Sequence, residues 1–273
     1  MSRMLGYLAP DPRSLEHAVG TDVVRAFAAL ARLHADGWGT AWIDPDSGAV
    51  CVATGVDLDP TARRLPASWR RPAAARLVYL RFASRGAAVR SENAQPFARD
   101  GVAFQHNGLL SPREDAVAVL SDLERAQLRG TTDSEVYFAV AHEEGFAAEG
   151  LAAEGACERE RQALSRAVRR LRVPFDAACL NALALSPSAL HAVHAPGRAP
   201  LPLPAFAARG FAPADLPPGH DDSYNELRTA LTADGVRVVA TTGIPSGARD
   251  ATSAPLAWSL LPRDAVTTFA VAG

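Results

Sequence analysis

Apolar residues recur along the chain with two spacings, which predict strands towards both ends and helices in the middle. Alternating or continuous apolar runs favour strands, whereas apolar residues three or four positions apart favour helices. Strands are predicted over residues 3–8, 37–43, 50–54, 76–82, 102–105, 177–185, 189–194, 223–229, 236–241 and from 265 onwards. Helices are predicted over residues 21–33, 112–128, 131–144 and 158–171.

The order of these elements indicates the fold class. Strands come first, helices follow and strands return, without the regular alternation that builds a doubly wound parallel sheet. We therefore expect an α+β fold in which helices and sheets form separate layers. No internal repeat and no convincing linker divides the sequence, so residues 2–273 are expected to form a single domain.

A proline-rich segment interrupts the second half of the chain. Residues 196–218 contain seven prolines, which can sustain neither a helix nor a strand ladder, so this segment is predicted to be a long loop. Loops of this length in compact domains often cover or line a functional site. An ordered surface excursion is the other interpretation, and the residues alone do not separate the two.

Composition and charge narrow the classes of protein. Of the 273 residues, 48% are hydrophobic and 21% are charged, as in ordinary globular proteins. The formal net charge of -2 gives no electrostatic reason to bind nucleic acid. No apolar run approaches the ~18 residues of a membrane helix, and Pro10 and Pro12 interrupt the first one, so neither a membrane span nor a signal peptide is expected. Cys51, Cys157 and Cys179 form no CxxC pair, which favours a reduced, cytoplasmic protein.

The residue behind the initiator methionine is the first candidate for chemistry. If Met1 is removed, Ser2 carries a hydroxyl group and a free α-amine on adjacent atoms. Such a pair can act as a nucleophile and its own base. A polar chain end without any function is the alternative interpretation of the same residue.

Three further positions place polar residues beside predicted strands or at a helix start. Arg81 follows the apolar run 77–80, where it could clamp a substrate carboxylate or form a structural salt bridge. Asn107 and Gly108 end a strand, as either a tight turn or a pair of donors for an oxyanion. Asp133 lies at a predicted helix start, where it could face the helix dipole or accept a substrate ammonium group.

Six blocks in this order resemble the class II glutamine amidotransferase domain of the N-terminal-nucleophile hydrolase superfamily. The blocks are Ser2-Arg-Met-Leu-Gly-Tyr, Asp36-Gly-Trp-Gly, Arg81-Phe-Ala-Ser-Arg-Gly, Asn93-Ala-Gln-Pro-Phe, His106-Asn-Gly and Thr132-Asp-Ser-Glu. The C-terminal half, with Asp222-Ser-Tyr-Asn-Glu-Leu and Val238-Val-Ala-Thr, resembles the stand-alone subgroup. That subgroup includes the hydrolase of ergothioneine biosynthesis, which removes a γ-glutamyl group.

The resemblance implies a four-layer αββα sandwich and a role for each matching residue. Arg81 would hold the α-carboxylate of a glutamine-like substrate, and Asp133 would hold its α-ammonium group. Asn107 and Gly108 would form the oxyanion hole. The residues expected to line the pocket are Gly37, Trp38 and Ser84. The resemblance calls for no metal and no organic cofactor.

The resemblance also implies a small-molecule γ-glutamyl amide as substrate, cleaved by an N-terminal nucleophile. Simple hydrolysis is expected rather than delivery of ammonia, although an ammonia-using or pathway partner enzyme and a homo-oligomer both stay open. The sequence does not identify the leaving amine. Residues 196–218 are the candidate wall that selects it.

The chain departs from the family pattern at the nucleophile itself, because the family has Cys where this sequence has Ser2. A hydroxyl group is a weaker nucleophile than a thiol and depends on its base. Ser2 is therefore a working nucleophile, or the protein is a non-catalytic binder or scaffold for γ-glutamyl compounds, or the serine is an introduced substitution that disarms a Cys enzyme.

Overall fold

Twelve strands and seven helices make up the part of the chain that the computed structural model describes, residues 2–59, 65–84, 86–148 and 154–271. The strands are β1 Arg3–Arg13, β2 Trp38–Ile43, β3 Val50–Gly55, β4 Ala73–Leu80, β5 Phe97–Arg99, β6 Val102–Gly108, β7 Leu180–Leu185, β8 Ala189–His194, β9 Leu227–Leu231, β10 Arg237–Thr241, β11 Ser259–Leu260 and β12 Ala265–Ala270. The helices are α1 Leu15–Val19, α2 Thr21–Ala29, α3 Arg113–Ala118, α4 Asp122–Ala126, α5 Asp133–Glu143, α6 Ala156–Arg172 and α7 Leu203–Ala207.

The strands form two antiparallel sheets. The seven-stranded sheet has the order β11-β9-β10-β1-β4-β2-β3, and the five-stranded sheet has the order β12-β8-β7-β6-β5. The larger sheet takes strands from both halves of the chain, since β1 pairs with β10 on one side and with β4 on the other.

Side chains alternate along each strand and so build three apolar layers. On β4, Leu77 and Tyr79 enter the core between the two sheets, whereas Val78 and Leu80 pack against α1 and α2. On β6, Ala103 faces the core between the sheets, and Phe104 packs against α5 and α6. Helices therefore cover the outer face of each sheet, and the predicted four-layer αββα sandwich is confirmed.

The predicted helix over residues 112–128 is wrong as a single element. Two short helices, α3 and α4, occupy this stretch, because Ser121 adopts an extended backbone and its hydroxyl accepts a hydrogen bond from Glu124 N. A serine at such a position caps a new helix and thereby ends the preceding one.

The strand predicted over residues 223–229 begins only at Leu227, because Asp221 organises a turn through hydrogen bonds from Ser223 and Tyr224. The proline-rich segment is mostly loop, as predicted, but it contains α7, which starts directly after Pro202. The helix predicted over 158–171 is confirmed as α6.

Three strand ends meet at one end of the sandwich and position the candidate site. Arg3, the first residue of β1, pairs with Leu80, the last residue of β4. The end of β6 approaches from the second sheet, since Ser2 N donates a hydrogen bond to Asn107 Oδ1. The residue before β1 and the residues after β4 and β6 are thereby brought together.

Candidate active site

Ser2 is buried at this junction, with only 1% of its surface exposed. Its Oγ accepts hydrogen bonds from the Tyr79 hydroxyl at 2.6 Å and from Phe82 N at 3.2 Å. Its backbone nitrogen lies 2.6 Å from Asn107 Oδ1. With two donors on Oγ, the proton of the Ser2 hydroxyl is free to be transferred to another base.

Tyr79 is held in place as a donor by a chain of polar contacts between the two sheets. Gln95 Nε2 donates to the Tyr79 hydroxyl at 2.8 Å, and Gln95 Oε1 accepts from His106 N at 2.6 Å. Burial raises the pKa of Tyr79 well above its usual range, so its proton stays in place at neutral pH.

Asn107 and Gly108 are the last two residues of β6, paired with Asn181 and Leu180 of β7, so the tight-turn interpretation of Asn-Gly is wrong. Because Asn107 Oδ1 is occupied by Ser2 N, its Nδ2 is the remaining polar atom, and it is buried without a hydrogen-bond partner among the described residues. A buried donor without a partner beside the Ser2 hydroxyl group is suited to the oxygen of a ligand.

Gly108 must be glycine for steric reasons. A Cβ at this position would lie 1.8 Å from the backbone oxygen of Cys179 and 2.4 Å from His106 Nε2. The close approach of β6 to Cys179 therefore excludes every other residue without backbone movement. Gly108 also lines the cavity in front of Ser2.

That cavity has a volume of about 400 Å³, and Ser2, Arg81, Ser84, Gly108 and Asp133 all lie on its wall. The cavity size lies within the range of small-molecule sites. Four segments that are distant in the sequence thus contribute to one cavity.

Arg81 is 97% buried, yet no carboxylate among the described residues pairs with it, so the structural salt-bridge interpretation is wrong. Its Nη2 donates to Ala88 O at 3.1 Å, whereas Nη1 is buried without a partner in the described part of the chain. Burial lowers the pKa of the guanidinium group. A desolvated cation with an unused donor on a cavity wall favours an anionic ligand.

Asp133 begins α5, directly after the capping residue Thr132, whose hydroxyl accepts from Glu135 N at 3.2 Å. Its Oδ2 accepts a hydrogen bond from Leu110 N at 2.7 Å, which leaves Oδ1 available to a ligand. The carboxylate of Asp133 therefore faces the helix N-terminus and also lies on the cavity wall.

Gly37 and Trp38 are not on the cavity wall. The Gly37 carbonyl accepts a hydrogen bond from Arg81 N at 2.9 Å, so Gly37 supports the backbone of Arg81 from behind. Trp38 Nε1 donates to Asp57 Oδ1 at 3.0 Å. Gly37 therefore supports Arg81 directly, whereas Trp38 pairs with Leu80, the residue before Arg81.

His106 is buried between Ser134 and Cys179. Its Nε2 lies 3.0 Å from the Cys179 carbonyl oxygen, which can only accept, so Nε2 carries the proton and Nδ1 accepts from Ser134 Oγ. Burial lowers the pKa of His106, and the ring is therefore neutral at physiological pH. Because both nitrogens are occupied, His106 orients the end of β6 rather than acting as a base.

A second buried guanidinium group lies directly behind Ser2. Arg3 is fully buried, its Nε donates to Ser2 O at 2.8 Å, and its Cζ lies 3.7 Å from the ring centroid of Tyr224. Its Nη1 donates to the oxygen atoms of Thr242. The part of the chain that the structure describes provides no carboxylate for it. An uncompensated positive charge at this point favours the neutral form of a nearby amine.

Cys179 does not replace the missing N-terminal thiol. It is buried, burial raises the pKa of its thiol to about 11, and its Sγ donates to Asn107 O at 3.0 Å. Within the described ranges there is no group of three metal-ligating side chains and no helix that is long and apolar enough to cross a membrane.

Sequence reasoning did not identify Tyr79, Gln95 and Arg3. Tyr79 lies inside an apolar strand, where an aromatic residue is normally read as core, although its hydroxyl group needs a partner when buried. Gln95 lies within the Asn-Ala-Gln-Pro block, and Arg3 interrupts an apolar strand directly after Ser2. An arginine and a glutamine in buried runs are the signals that point to these residues.

Comparison with solved structures places this architecture among amidotransferases. A glutamine aminotransferase class-II domain protein from Silicibacter pomeroyi is 18% identical with a TM-score of 0.53, and the match covers 99% of this chain and 100% of that one. A predicted glutamine amidotransferase from Pseudomonas aeruginosa PA01 is 16% identical with a TM-score of 0.50, covering 99% and 100%. At such identities the likeness shows a shared fold.

A larger enzyme shares the same fold over part of its length. The glutamine phosphoribosylpyrophosphate amidotransferase from B. subtilis is 13% identical with a TM-score of 0.55, and the match covers 99% of this chain but 49% of that enzyme. This chain therefore spans about half the length of that protein. Comparison with curated proteins gives no match.

The family itself is shown by the sequence match rather than by these structures. Residues 13–187 match the family model described as "Glutamine amidotransferases class-II". The matched range includes Arg81, Asn107, Gly108 and Asp133, and it begins after Ser2. This chain therefore belongs to the class II glutamine amidotransferases.

Proposed function

We propose that this protein hydrolyses γ-glutamyl amides, with Ser2 as the nucleophile. One observation carries the proposal: Ser2 Oγ, the unpartnered donor of Arg81 and the carboxylate of Asp133 surround a single cavity of about 400 Å³. A γ-glutamyl amide presents an α-carboxylate, an α-ammonium group and an amide carbonyl. These three groups match Arg81, Asp133 and Ser2 in charge and chemistry.

The base in this mechanism is the α-amine of Ser2, so Met1 must be removed first. An amide nitrogen between Met1 and Ser2 has no lone pair available for a proton. Met1 lies outside the described residues. A free α-amine has a reference pKa of about 7.7–8.0, and the buried charge of Arg3 favours its neutral, basic form.

The reaction proceeds through an ester. The amine takes the Ser2 hydroxyl proton, directly or through one water, and Oγ attacks the γ-carbonyl carbon. Asn107 Nδ2 and Gly108 stabilise the negative charge on the carbonyl oxygen. The carbon–nitrogen bond then breaks, the leaving amine takes the proton, and water hydrolyses the γ-glutamyl ester to release glutamate.

A non-catalytic binder of γ-glutamyl compounds is the second candidate, and one observation favours it. A serine stands where the family pattern has cysteine, and a hydroxyl group is a much weaker nucleophile than a thiolate. The clamp formed by Arg81 and Asp133 serves a binder and an enzyme equally well.

The proposal also treats residues 2–273 as one domain, because the larger sheet takes strands from both halves of the chain. The free thiols of Cys51, Cys157 and Cys179 fit a reducing, cytoplasmic setting.

The experiment combines intact-mass analysis, which identifies the first residue, with glutamate release from γ-glutamyl amides. Processed parent protein is expected to be active, Ser2→Cys to be more active, and Ser2→Ala to be folded but inactive. Protein that retains Met1 is expected to be inactive. Equal activity of Ser2→Ala would remove Ser2 from the mechanism. An inactive processed parent with a strongly active Ser2→Cys variant would favour a Cys enzyme disarmed by the serine, and inactivity of both proteins would favour the binder.

A further inference from the structure

A second cavity lies on the other side of the residues that follow β6. It is a groove of about 460 Å³ between the end of α6 and the proline-rich segment 196–218. Its wall consists mainly of apolar residues. These apolar residues include Phe175, Ala177, Ala199, Pro200, Leu201 and Pro202.

The groove adjoins the candidate active site. Gly108, Leu109 and Ser111 line both the groove and the cavity that contains Ser2. Arg81 and Asp133 line only the cavity. A γ-glutamyl group held by Arg81 and Asp133 and attacked by Ser2 would have the substituent on its amide nitrogen on the side of Gly108, which the groove shares.

The chemistry of the groove differs from that of the cavity. Its two charged residues, Asp176 and Arg198, pair with each other at 2.6 Å, and each has 75% of its side chain exposed at the rim. Their charges neutralise each other, so the interior of the groove offers no charged group to a polar ligand. Asn225 is also occupied, because its Nδ2 donates to Ala199 O at 3.0 Å.

We infer that this groove binds the leaving amine, and that the preferred substrates are γ-glutamyl amides of amines with a bulky apolar substituent, such as an aromatic ring. The inference rests on the proposed function, since it assigns the amine half of the same substrate. A groove of about 460 Å³ far exceeds what ammonia needs, because one water molecule occupies about 30 Å³ in the liquid.

The step that involves the groove is the breaking of the carbon–nitrogen bond. The α-ammonium group of Ser2 returns its proton to the departing nitrogen, while the γ-glutamyl group stays bonded to Ser2 Oγ. The neutral amine then leaves along the groove, and water enters to hydrolyse the ester.

The test compares γ-glutamyl-benzylamide, γ-glutamyl-methylamide and glutamine. Benzylamine resembles ammonia in basicity. A difference in kcat/KM between γ-glutamyl-benzylamide and glutamine therefore reports binding of the substituent rather than leaving-group chemistry. The benzylamide is expected to have a kcat/KM at least about tenfold above that of glutamine, as expected when an apolar group enters a matching pocket. Calorimetry with the Ser2→Ala variant measures the same preference without turnover.

A pair of variants tests the location of the subsite. Ala199→Phe fills the groove and is expected to lower the ratio of benzylamide to glutamine binding by about tenfold. Ala208→Phe is the matched control, because Ala208 is an exposed residue of the same proline-rich segment outside the groove wall, and the ratio is expected to stay at the parent value.

The outcomes separate the two proposals. Preferential binding of the benzylamide to Ser2→Ala, together with an inactive parent, leaves the groove subsite in place and overturns the proposed hydrolysis. Hydrolysis of all three substrates with equal kcat/KM, or an unchanged ratio in Ala199→Phe, overturns the groove subsite and leaves the hydrolysis in place. Failure of all three amides to bind to Ser2→Ala overturns both.

Discussion

The cavity and the groove share one wall but differ in the chemistry of their other residues. The cavity contains Arg81 and Asp133, both charged and neither ion-paired within the described residues, whereas the groove pairs its only charges at the rim. Unsatisfied polar groups select a ligand strongly, since a wrong ligand leaves them buried without partners. An apolar wall selects mainly by size and area. In the proposed function, the cavity recognises the glutamyl half of a substrate by charge, and the groove recognises the amine half by shape.

Substitution of Asn107 is expected to have the largest effect, because only the cavity side is proposed to stabilise the negative charge that develops on the substrate carbonyl oxygen. Asn107→Ala removes the donor Nδ2 without adding a charge, and kcat is expected to fall by about 10²–10³ with little change in KM. Steady-state kinetics with glutamine, in the parent or in the faster Ser2→Cys background, measure this. Retained kcat in a folded Asn107→Ala variant would show that Nδ2 does not act on the oxyanion.

Arg81 tests the charge-based half of the comparison. Arg81→Ala is expected to weaken glutamate binding by about 2–4 kcal/mol, the usual cost of losing one member of a buried charge pair. Arg198→Ala is the control, because Arg198 is an exposed cation at the rim of the groove, and glutamate binding should not change. Calorimetry decides, and equal affinities of Arg81→Ala and the parent would remove Arg81 from the clamp.

Gly108 tests how closely the shared wall is packed. Gly108→Ala places a Cβ 1.8 Å from the backbone oxygen of Cys179, so the free energy of unfolding is expected to fall by about 1–3 kcal/mol. Gly247→Ala is the matched control, because a Cβ there meets no atom within 4 Å. Urea unfolding of both variants measures the difference. Equal midpoints would mean that the strands can separate at this point without cost.

Apart from these substitutions, a pH-dependent effect on stability concerns the support of the groove wall. Phe206 of α7 packs against His34 and His220, and burial, with a smaller effect of the Arg3 charge, lowers the pKa of His220 to about 3, against the raising effect of Asp221. The unfolded chain therefore binds the proton first as the pH falls. The contribution of His220 is complete above about pH 6.5 and declines by about 1.4 kcal/mol per pH unit below it, down to the folded pKa.

The matching measurement is the free energy of unfolding of the parent and of His220→Gln between pH 7.5 and 4. The difference between the two curves should shrink as the pH falls, because the variant has no proton to take up at this position. Parallel curves would show that His220 is not held in its neutral form by the fold.

Much of the fold could be predicted from local patterns, and the exceptions have physical reasons. The regular apolar spacing of α6 and the β-rich runs of β1 and β10 identified those elements. The break between α3 and α4 was missed, because the apolar spacing continues through Ser121 and only its capping hydrogen bond ends the first helix.

The candidate site likewise contains some residues that local patterns could predict and others that they could not. Arg81 and Asp133 could be predicted because their polarity stands out from their surroundings, whereas the role of Tyr79 depends on which strand lies opposite. Its contact with Ser2 spans 77 positions in the sequence. Such a contact follows from sheet pairing and register, which a pattern of single residues does not contain. The placement of the shared wall between the cavity and the groove likewise follows from sheet pairing and register.

The most direct test of Ser2 as the nucleophile is to locate the γ-glutamyl group during turnover. Processed protein is mixed with γ-glutamyl-benzylamide, quenched in acid within the first turnover, digested and analysed by mass spectrometry. One γ-glutamyl group is expected on the peptide that begins with Ser2, and none is expected in the Ser2→Ala variant. A γ-glutamyl group on any other residue, or turnover that persists in Ser2→Ala, would contradict the assignment of Ser2 as the nucleophile.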